Sequence, residues 1–345
     1  MHRMTAHPSI NHPTYFLTSS FTDDQSALLF TSYRTGEAQL FEAGFPDGEI
    51  RQLTDGGAIH PFSPAIAPSG EVYFVRGGAV WAVDRETLEE RVVADFGGQL
   101  GECSLSPDGA WFVAALKSDA GWGLGIGKTD GSEKRVMPFS RTIIHPQFNP
   151  VDPEWIEFAG DPAPRMHRVR RDSDEPELLY DHGNDEFVVH ETFLGRSSDV
   201  LFTVWPKALK VMDWETREIR TIAELNAWHI TPNRSGTKVL CDTVHPDVGL
   251  QLIDVATGER ETVCYPQASS QGTQWKKSRY AVAEDWERAR SAAEKGKALS
   301  WMEMATDSVY GPQWTHPHPS FSPDEKMVAF ASDRSGHTQV YVVEL

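Results

Sequence analysis

The sequence predicts an all-β protein, a seven-bladed β-propeller that occupies residues 1–345 as a single domain. Two observations predict it. First, a unit of short apolar and aromatic strands, separated by turns of the SPDG type, recurs along the chain. Second, its period of about 40 to 45 residues is typical of a propeller blade with four strands. The seven copies begin at Ser19, Ser63, Cys103, His145, His190, His229 and His316.

The last copy indicates how the ring closes. HPHPSFSPDEKMVAFASDRSGHTQVYVVEL, from His316 to the end, is long enough for only about three of the four strands in a blade. We expect the segment before Ser19 to supply the missing strand, because a closed ring leaves no exposed sheet edge.

One connection is longer than the others. Residues 267–312 form an insertion before the last blade, and RYAVAEDWERARSAAEKGKALSWM, from Arg279, is rich in Ala, Glu, Arg and Lys and lacks Pro. This composition predicts a partly helical insertion. We expect it to be a lid or wall of a pocket, with a purely decorative surface insertion as the alternative.

Composition excludes several classes of partner. The formal net charge of -18 argues against nucleic acid, because duplex binding needs a basic face. No run of about eighteen apolar residues predicts a membrane span, and the N-terminus lacks the apolar region of a signal peptide. The three cysteines are widely spaced and predict no disulfide framework. We therefore expect a cytoplasmic location.

Several of the thirteen histidines are in phase with the repeat. His60, His145, His190, His229, His316 and His318 fall at or just before the first strand of a copy. In a propeller the first strand of each blade lines the central channel, so residues at equivalent repeat positions converge. A histidine at the start of a strand can also cap a turn or pack, and whether His60 and His145 join a site is left open.

The stretch QWTHPHPSFSPD, from Gln313, combines possible metal ligands with an extended backbone. His316 and His318 are two residues apart, so on a strand they face the same side. The prolines between and after them favour extended backbone. Imidazole and amide groups are suitable ligands for a divalent metal. The alternative is a surface loop with incidental histidines.

Arginines give a second signal. DPAPRMHRVRR, from Asp161, contains Arg165 and Arg168. Because these two are three residues apart, they face opposite sides of a strand, and one of them could point toward the channel and bind a carboxylate in a bidentate manner. A solvated outer strand is the alternative.

QWTHPHPSFSPD resembles the metal-binding signature of the oligogalacturonate lyases, polysaccharide lyase family 22. In that family a Q-x-T-H-P-H-P-S-F-[ST]-P-D segment opens the last blade. YFLTSSFTDDQSALLFTSYRTGEAQLF, from Tyr15, and RQLTDG, from Arg51, are also similar to the family's first blade.

The resemblance implies a set of site residues. It implies that a divalent cation, Mn²⁺ or another, is bound by His229 of WHITPNRSG together with Gln313, His316 and His318. It implies that His190 of VVHETFLG is the catalytic base and that Arg168 of HRVR assists it. We assign substrate binding to Arg165 and to Arg34 of the first blade.

The implied function is the metal-dependent cleavage of short, acidic uronate oligosaccharides by β-elimination, as in pectin degradation, to unsaturated uronate products. Two alternatives remain, a non-catalytic binding module like the TolB propeller and a lyase of this fold that acts on a different uronate. The chain has no G-x-S-x-G elbow, so a propeller attached to a peptidase is not expected. The sequence does not predict the oligomeric state.

Overall fold

The computed structural model describes residues 1–46, 48–269 and 313–345. It confirms the predicted propeller, with seven antiparallel sheets of four strands each. In six blades the four strands follow one another along the chain. The seventh blade combines the last three strands with the first one.

The strands of the first three blades are β2 (Asn11–Pro13), β3 (Ala27–Ser32), β4 (Gln39–Gly44) and β5 (Ile50–Gln52); β6 (Ala65–Ile66), β7 (Val72–Arg76), β8 (Ala79–Val83) and β9 (Glu90–Asp95); β10 (Gln99–Leu105), β11 (Trp111–Ser118), β12 (Gly121–Lys128) and β13 (Lys134–Phe139).

The next three blades consist of β14 (Ile144–Phe148), β15 (Trp155–Ala159), β16 (Met166–Arg170) and β17 (Glu177–Leu178); β18 (Phe187–Phe193), β19 (Val200–Trp205), β20 (Ala208–Met212) and β21 (Ile219–Ala223); β22 (Ala227–Pro232), β23 (Lys238–Thr243), β24 (Leu250–Asp254) and β25 (Arg260–Cys264). The seventh contains β26 (Ser320–Phe321), β27 (Met327–Ser332), β28 (Gln339–Glu344) and β1 (His2–Arg3), and a 3-10 helix, Gln313–Thr315, precedes it.

The ring closes as the sequence predicts. β1 pairs antiparallel with β28, and His2 lies opposite Val342. The Thr5 side chain then donates a hydrogen bond of 2.7 Å to Gln339. The N-terminal segment therefore covers the edge that the last blade would otherwise expose.

The SPDG-type turns form through their own side chains. At Ser106 the hydroxyl donates to Asp108 at 2.5 Å and accepts the backbone N–H of Trp111 at 2.9 Å. Gly109 follows with φ of 70°, a conformation that glycine adopts without a steric penalty. Each such turn reverses the chain between the first and second strands of a blade.

The apolar core is divided among the interfaces between blades. Val113 of the third blade packs in one cluster with Ile156 and Phe158 of the fourth. Across the closure, Phe30 of the first blade packs with Val340 of the last. Burial of one such side chain stabilises the fold by about 1.5 to 3 kcal/mol, so each blade depends on both neighbours.

The insertion predicted over residues 267–312 lies outside the described residues from 270 onward, and its partly helical character stays a prediction. The three cysteines are free thiols, in agreement with the predicted absence of disulfides. Within the described ranges, no helix is both long and apolar enough to cross a membrane.

Candidate active site

The innermost strands of four consecutive blades each contain a β-bulge at an equivalent position. The pairing register between the first two strands shifts in the third, fourth, fifth and sixth blades, at Leu100/Cys103, Ile144/Gln147, Val189/Thr192 and Ala227/Ile230. A β-bulge puts two residues opposite one and changes the direction of a side chain. His145, His190 and His229 lie within these shifts, so the same local device directs a histidine from three different blades.

Three of the histidines at this end of the channel have an unusual backbone. His145, His190 and His318 have φ values of 56°, 56° and 43°. The left-handed region is uncommon for residues other than glycine and costs of order 1 kcal/mol or more. Such conformations persist where the surrounding structure holds them and cluster at functional sites, which makes this end of the channel the candidate site.

The rings of four predicted site residues lie in contact. The ring centroid of His229 is 4.5 Å from that of His190 and 3.9 Å from that of His318. The His316 ring lies 5.2 Å from His229 and 5.9 Å from His318. All four side chains are buried. The predicted convergence of these blades at one point of the channel therefore holds.

Among the predicted metal ligands of this group, the rings of His229 and His318 each hold an unpartnered nitrogen. His229 donates Nδ1–H to Asp242 at 2.9 Å, and His318 donates Nε2–H to the backbone carbonyl of Gln313 at 3.1 Å. The other nitrogens, Nε2 of His229 and Nδ1 of His318, are buried and have no hydrogen-bond partner among the described residues. Burial lowers the pKa of both imidazoles well below 6.5, so each is neutral. Each therefore offers a free lone pair.

Asp242, which holds His229, is itself wholly buried. Burial raises the pKa of this carboxyl to about 7, while His316 and the backbone N–H groups of His229 and His318 favour its charged form. Above neutral pH the carboxylate accepts from His229, and the lone pair on His229 Nε2 stays available.

These donors are of the kind that fits a divalent cation, since neutral imidazole and amide oxygen are its usual ligands. His316 Nδ1 accepts a hydrogen bond from Trp228 at 3.2 Å. Gln313 is also buried, on the 3-10 helix beside His318. Within the described part of the chain, no three His, Cys, Asp or Glu side chains already meet as a complete metal site. Because Trp228 occupies Nδ1 of His316, binding of a cation through this nitrogen requires that hydrogen bond to break.

A buried hydrogen-bonded chain lies beside the histidines. Tyr15 donates to His145 Nε2 at 3.0 Å, and His145 Nδ1–H donates to Glu191 at 3.0 Å. Glu191 also accepts from Arg165 at 3.0 Å, and Arg165 pairs in turn with Asp161. The Tyr15 ring lies 5.1 Å from that of His318. This series of hydrogen-bonded side chains thus joins the histidine cluster to the buried guanidinium of Arg165.

The charges in this chain fix its protonation. Burial, and then Glu102 and Glu191, raise the pKa of Tyr15 well above 10, so it remains a phenol. Burial alone would raise the pKa of Glu191, but Arg165 and His145 outweigh it and lower that pKa, so Glu191 is a carboxylate. Burial, followed by the neighbouring His229 and His145, lowers the pKa of His190 well below 6.5, so His190 is a neutral base.

Comparison with known proteins shows what this chain is similar to. No known family profile matches the chain. Oligogalacturonide lyase of Pectobacterium atrosepticum is 21% identical over 99% of this chain and 92% of its own length. Oligogalacturonate lyase of Dickeya dadantii is 22% identical over 99% and 92%. A solved oligogalacturonate lyase in complex with manganese superposes with a TM-score of 0.81, at 21% identity, over 99% of this chain and 92% of that one.

The chain is related to the oligogalacturonate lyases. The resemblance predicted from QWTHPHPSFSPD is thus confirmed, and with it the predicted class of enzyme, a polysaccharide lyase.

The two arginines of the fourth blade that the sequence predicts as site residues lie in different surroundings. Arg168, predicted to assist the base, lies between the rings of Trp155 and Trp214, 4.8 and 4.9 Å from their centroids, and pairs with Glu177. The structure does not bring it to the histidines, because β16 places it on the outer part of the blade. Arg165 is buried and linked to His145 through Glu191. It is therefore the better candidate for an arginine that acts at the histidine site.

Three further positions complete the comparison with the sequence. Arg34 is half-buried, donates to Asn11 at 3.2 Å and lies over the Phe41 ring, apart from the cluster. His145 joins the site through Tyr15 and His190, whose ring centroid is 5.8 Å away. His60 has neither ring nitrogen hydrogen-bonded among the described residues, and Phe62 is its ring neighbour, at 6.4 Å.

A cavity of about 410 Å³ lies at the opposite end of the channel, where the inner strands end. Phe16 lines it, and the Phe16 ring also lies against His145, His190 and His229, with centroid distances of 5.3, 5.4 and 5.6 Å. Phe16 therefore separates this cavity from the histidines, and the cavity is not part of the candidate site.

Proposed function

We propose that the protein is a metal-dependent lyase that cleaves short uronate oligosaccharides by β-elimination. The observation that carries the proposal is the meeting of His190, His229 and His318, from three blades, with neutral rings and buried unpartnered nitrogens. The names of the relatives support oligogalacturonate as the substrate.

His190 has the properties that the first step needs. Elimination removes the proton on C5 of the uronate, next to the carboxylate, and an imidazole that is neutral near pH 7 can accept it. Burial keeps His190 neutral, and its Nδ1 has no hydrogen-bond partner within the described ranges. The C4–O4 bond then breaks, a C4–C5 double bond forms, and the departing O4 oxygen gains a proton, so that no water is consumed.

His229, Gln313, His316 and His318 are the residues that we propose as ligands. A divalent cation held there would supply positive charge to the uronate carboxylate as it becomes enolate-like. Because imidazole and amide are neutral ligands, they would leave the full charge of the cation to the substrate. We propose Mn²⁺, because one related lyase was solved in complex with manganese.

Arg165 is the cation that we propose to act with this site. It is buried and held by Glu191 and Asp161, so its guanidinium is fixed in place. Its Nε and Nη2 already donate to the two oxygens of Glu191, and its Nη1 donates to Asp161. We therefore propose that Arg165 holds Glu191, and through it His145, in place beside the histidines. A divalent cation at the proposed ligands would supply the local positive charge with which a chain of net charge -18 accepts an acidic sugar.

Elimination from digalacturonate tests the proposal directly. The conjugated double bond of the product absorbs ultraviolet light, and we expect this absorbance to rise with purified protein and Mn²⁺. A chelator should abolish the reaction and added Mn²⁺ should restore it. The same assay on other uronate disaccharides identifies a lyase of different specificity. If no uronate reacts and the protein binds no metal, a non-catalytic binding propeller replaces the proposal.

A further inference from the structure

Asp242 lies on β23, the second strand of the sixth blade, behind His229. The register shift between Ala227 and Ile230 leaves the backbone N–H of His229 without a ladder partner. Asp242 Oδ1 accepts that N–H at 2.6 Å. A buried backbone donor must be satisfied, so this carboxylate stabilises the bulge that places His229 in the channel.

The second oxygen of Asp242 controls the ring itself. Oδ2 accepts Nδ1–H of His229 at 2.9 Å. This hydrogen bond fixes both the rotation of the imidazole and its tautomer, with the lone pair on Nε2. In metalloproteins a carboxylate in this position orients the histidine ligand.

The backbone N–H of His318, in the last blade, also lowers the pKa of this carboxyl. Both hydrogen bonds of the Asp242 side chain to His229 hold one proposed ligand in place. Asp242 is wholly buried, and within the described residues the side chain that pairs with it is the neutral imidazole of His229. A buried carboxylate without a cation is costly, and a cation bound at His229 Nε2 would offset that cost.

We infer that Asp242 is a positioning residue, which orients His229 toward a divalent cation without itself binding the cation. The inference rests on the proposed function, since that function assigns His229 as a ligand. Both oxygens of Asp242 are occupied by N–H donors, and this is why it acts through His229.

Substitution of Asp242 by asparagine tests the inference. If the amide oxygen keeps the backbone N–H of His229, the amide NH₂ faces Nδ1. Nδ1 must then accept, and the ring proton moves to Nε2, the wrong tautomer for a ligand. We expect the affinity for Mn²⁺, measured by calorimetry on the substrate-free protein, to fall about 10- to 100-fold. D247N, on a half-buried aspartate of the same blade, is the matched control and should bind Mn²⁺ as the wild type does.

The tautomer gives a second readout that needs neither activity nor a folded variant. In ¹⁵N-labelled, metal-free wild-type protein at mildly alkaline pH, His229 should carry its proton on Nδ1. A proton on Nε2 would overturn the inference even if D242N failed to fold.

The outcomes separate the inference from the proposed function. Wild-type affinity for Mn²⁺ in folded D242N overturns the role of Asp242 and leaves the lyase proposal intact. Wild-type protein that binds no Mn²⁺ contradicts the proposed function and, with it, this inference.

Discussion

His190 is the residue whose removal distinguishes catalysis from metal binding. Its ring contacts that of His229, yet the proposal gives it no role as a ligand. We expect H190A to lower kcat about a hundred- to ten-thousand-fold, the usual contribution of a general base. Mn²⁺ affinity, measured on the same preparation, should stay within a few-fold of wild type.

R168A is the control for this prediction. Arg168 stacks between two tryptophan rings, so its loss should destabilise the fold by about 1 to 2 kcal/mol through lost packing. The kcat of the folded variant should stay unchanged. Near-normal turnover by H190A would contradict the role of His190 as the base. Loss of turnover in folded R168A would support the assisting role that the sequence predicts for Arg168.

The sequence predicts the residues of this site better than their partners. His190, His229, His316 and His318 are visible because they recur in phase with the repeat. Asp242 and Tyr15 are not, because their roles depend on contacts with a neighbouring strand or across the channel. Glu191 directly follows a predicted base, and a charged residue inside an apolar inner strand was the one signal that could have found it.

At the scale of the strand, the decisive feature is the bulge in the inner strands. The repeat predicts which strands line the channel, but the side-chain alternation of a regular strand does not predict a register shift. The shift at Val189/Thr192 places the consecutive residues His190 and Glu191 in different surroundings, one among the rings and one on Arg165. The sequence has the same limit for Arg165 and Arg168. Their separation predicts that they face opposite sides of a strand, but it does not predict which of the two sides faces the channel.

The N-terminal strand carries the prediction at this scale. Deletion of residues 1–5 removes the pairing of β1 with β28 and the bonds from Met4 and Thr5 to Val340 and Gln339. At about 1 kcal/mol for each lost hydrogen bond, the free energy of unfolding in urea should fall by several kcal/mol. Exposure of the β28 edge should also increase aggregation.

The matched control keeps the backbone and changes the side chains. His2 and Arg3 are exposed, so the double variant H2A/R3A should unfold within about 0.5 kcal/mol of wild type. Equal stability of the truncated and full-length chains would mean that the ring does not need β1 for closure.

At the scale of the whole molecule, the fold is predictable because every blade repeats the same local information. In each copy the turn residues, the apolar strands and the repeat length all favour the same four-stranded blade. A sequence whose local preferences agree with the global fold in this way specifies a single fold. The burial of so many histidines around one channel is a property of the closed ring and emerges only when the blades assemble.

That burial makes stability depend on pH. Seven buried histidines have a pKa lowered from 6.5, chiefly by burial, and they are His12, His60, His167, His182, His190, His229 and His318. Their unfolded forms bind protons below pH 6.5 while the folded forms stay neutral, so stability falls as the pH drops. Three buried carboxyl groups with a raised pKa, Glu102, Glu157 and Asp242, act in the opposite direction. The imidazoles outnumber them, and the net effect is a loss of stability on acidification.

His60 isolates the contribution of one imidazole. Burial lowers its pKa to about 3, and neither of its nitrogens has a hydrogen-bond partner in the described part of the chain. In chelator-treated protein, the free energy of unfolding should therefore fall between pH 6.5 and 5. In H60Q that slope should be shallower by up to about 1.4 kcal/mol per pH unit, because one fewer proton is taken up on unfolding. Parallel pH profiles for the two proteins would show that His60 is protonated in the folded state, where only a partner or a bound anion could stabilise its charge.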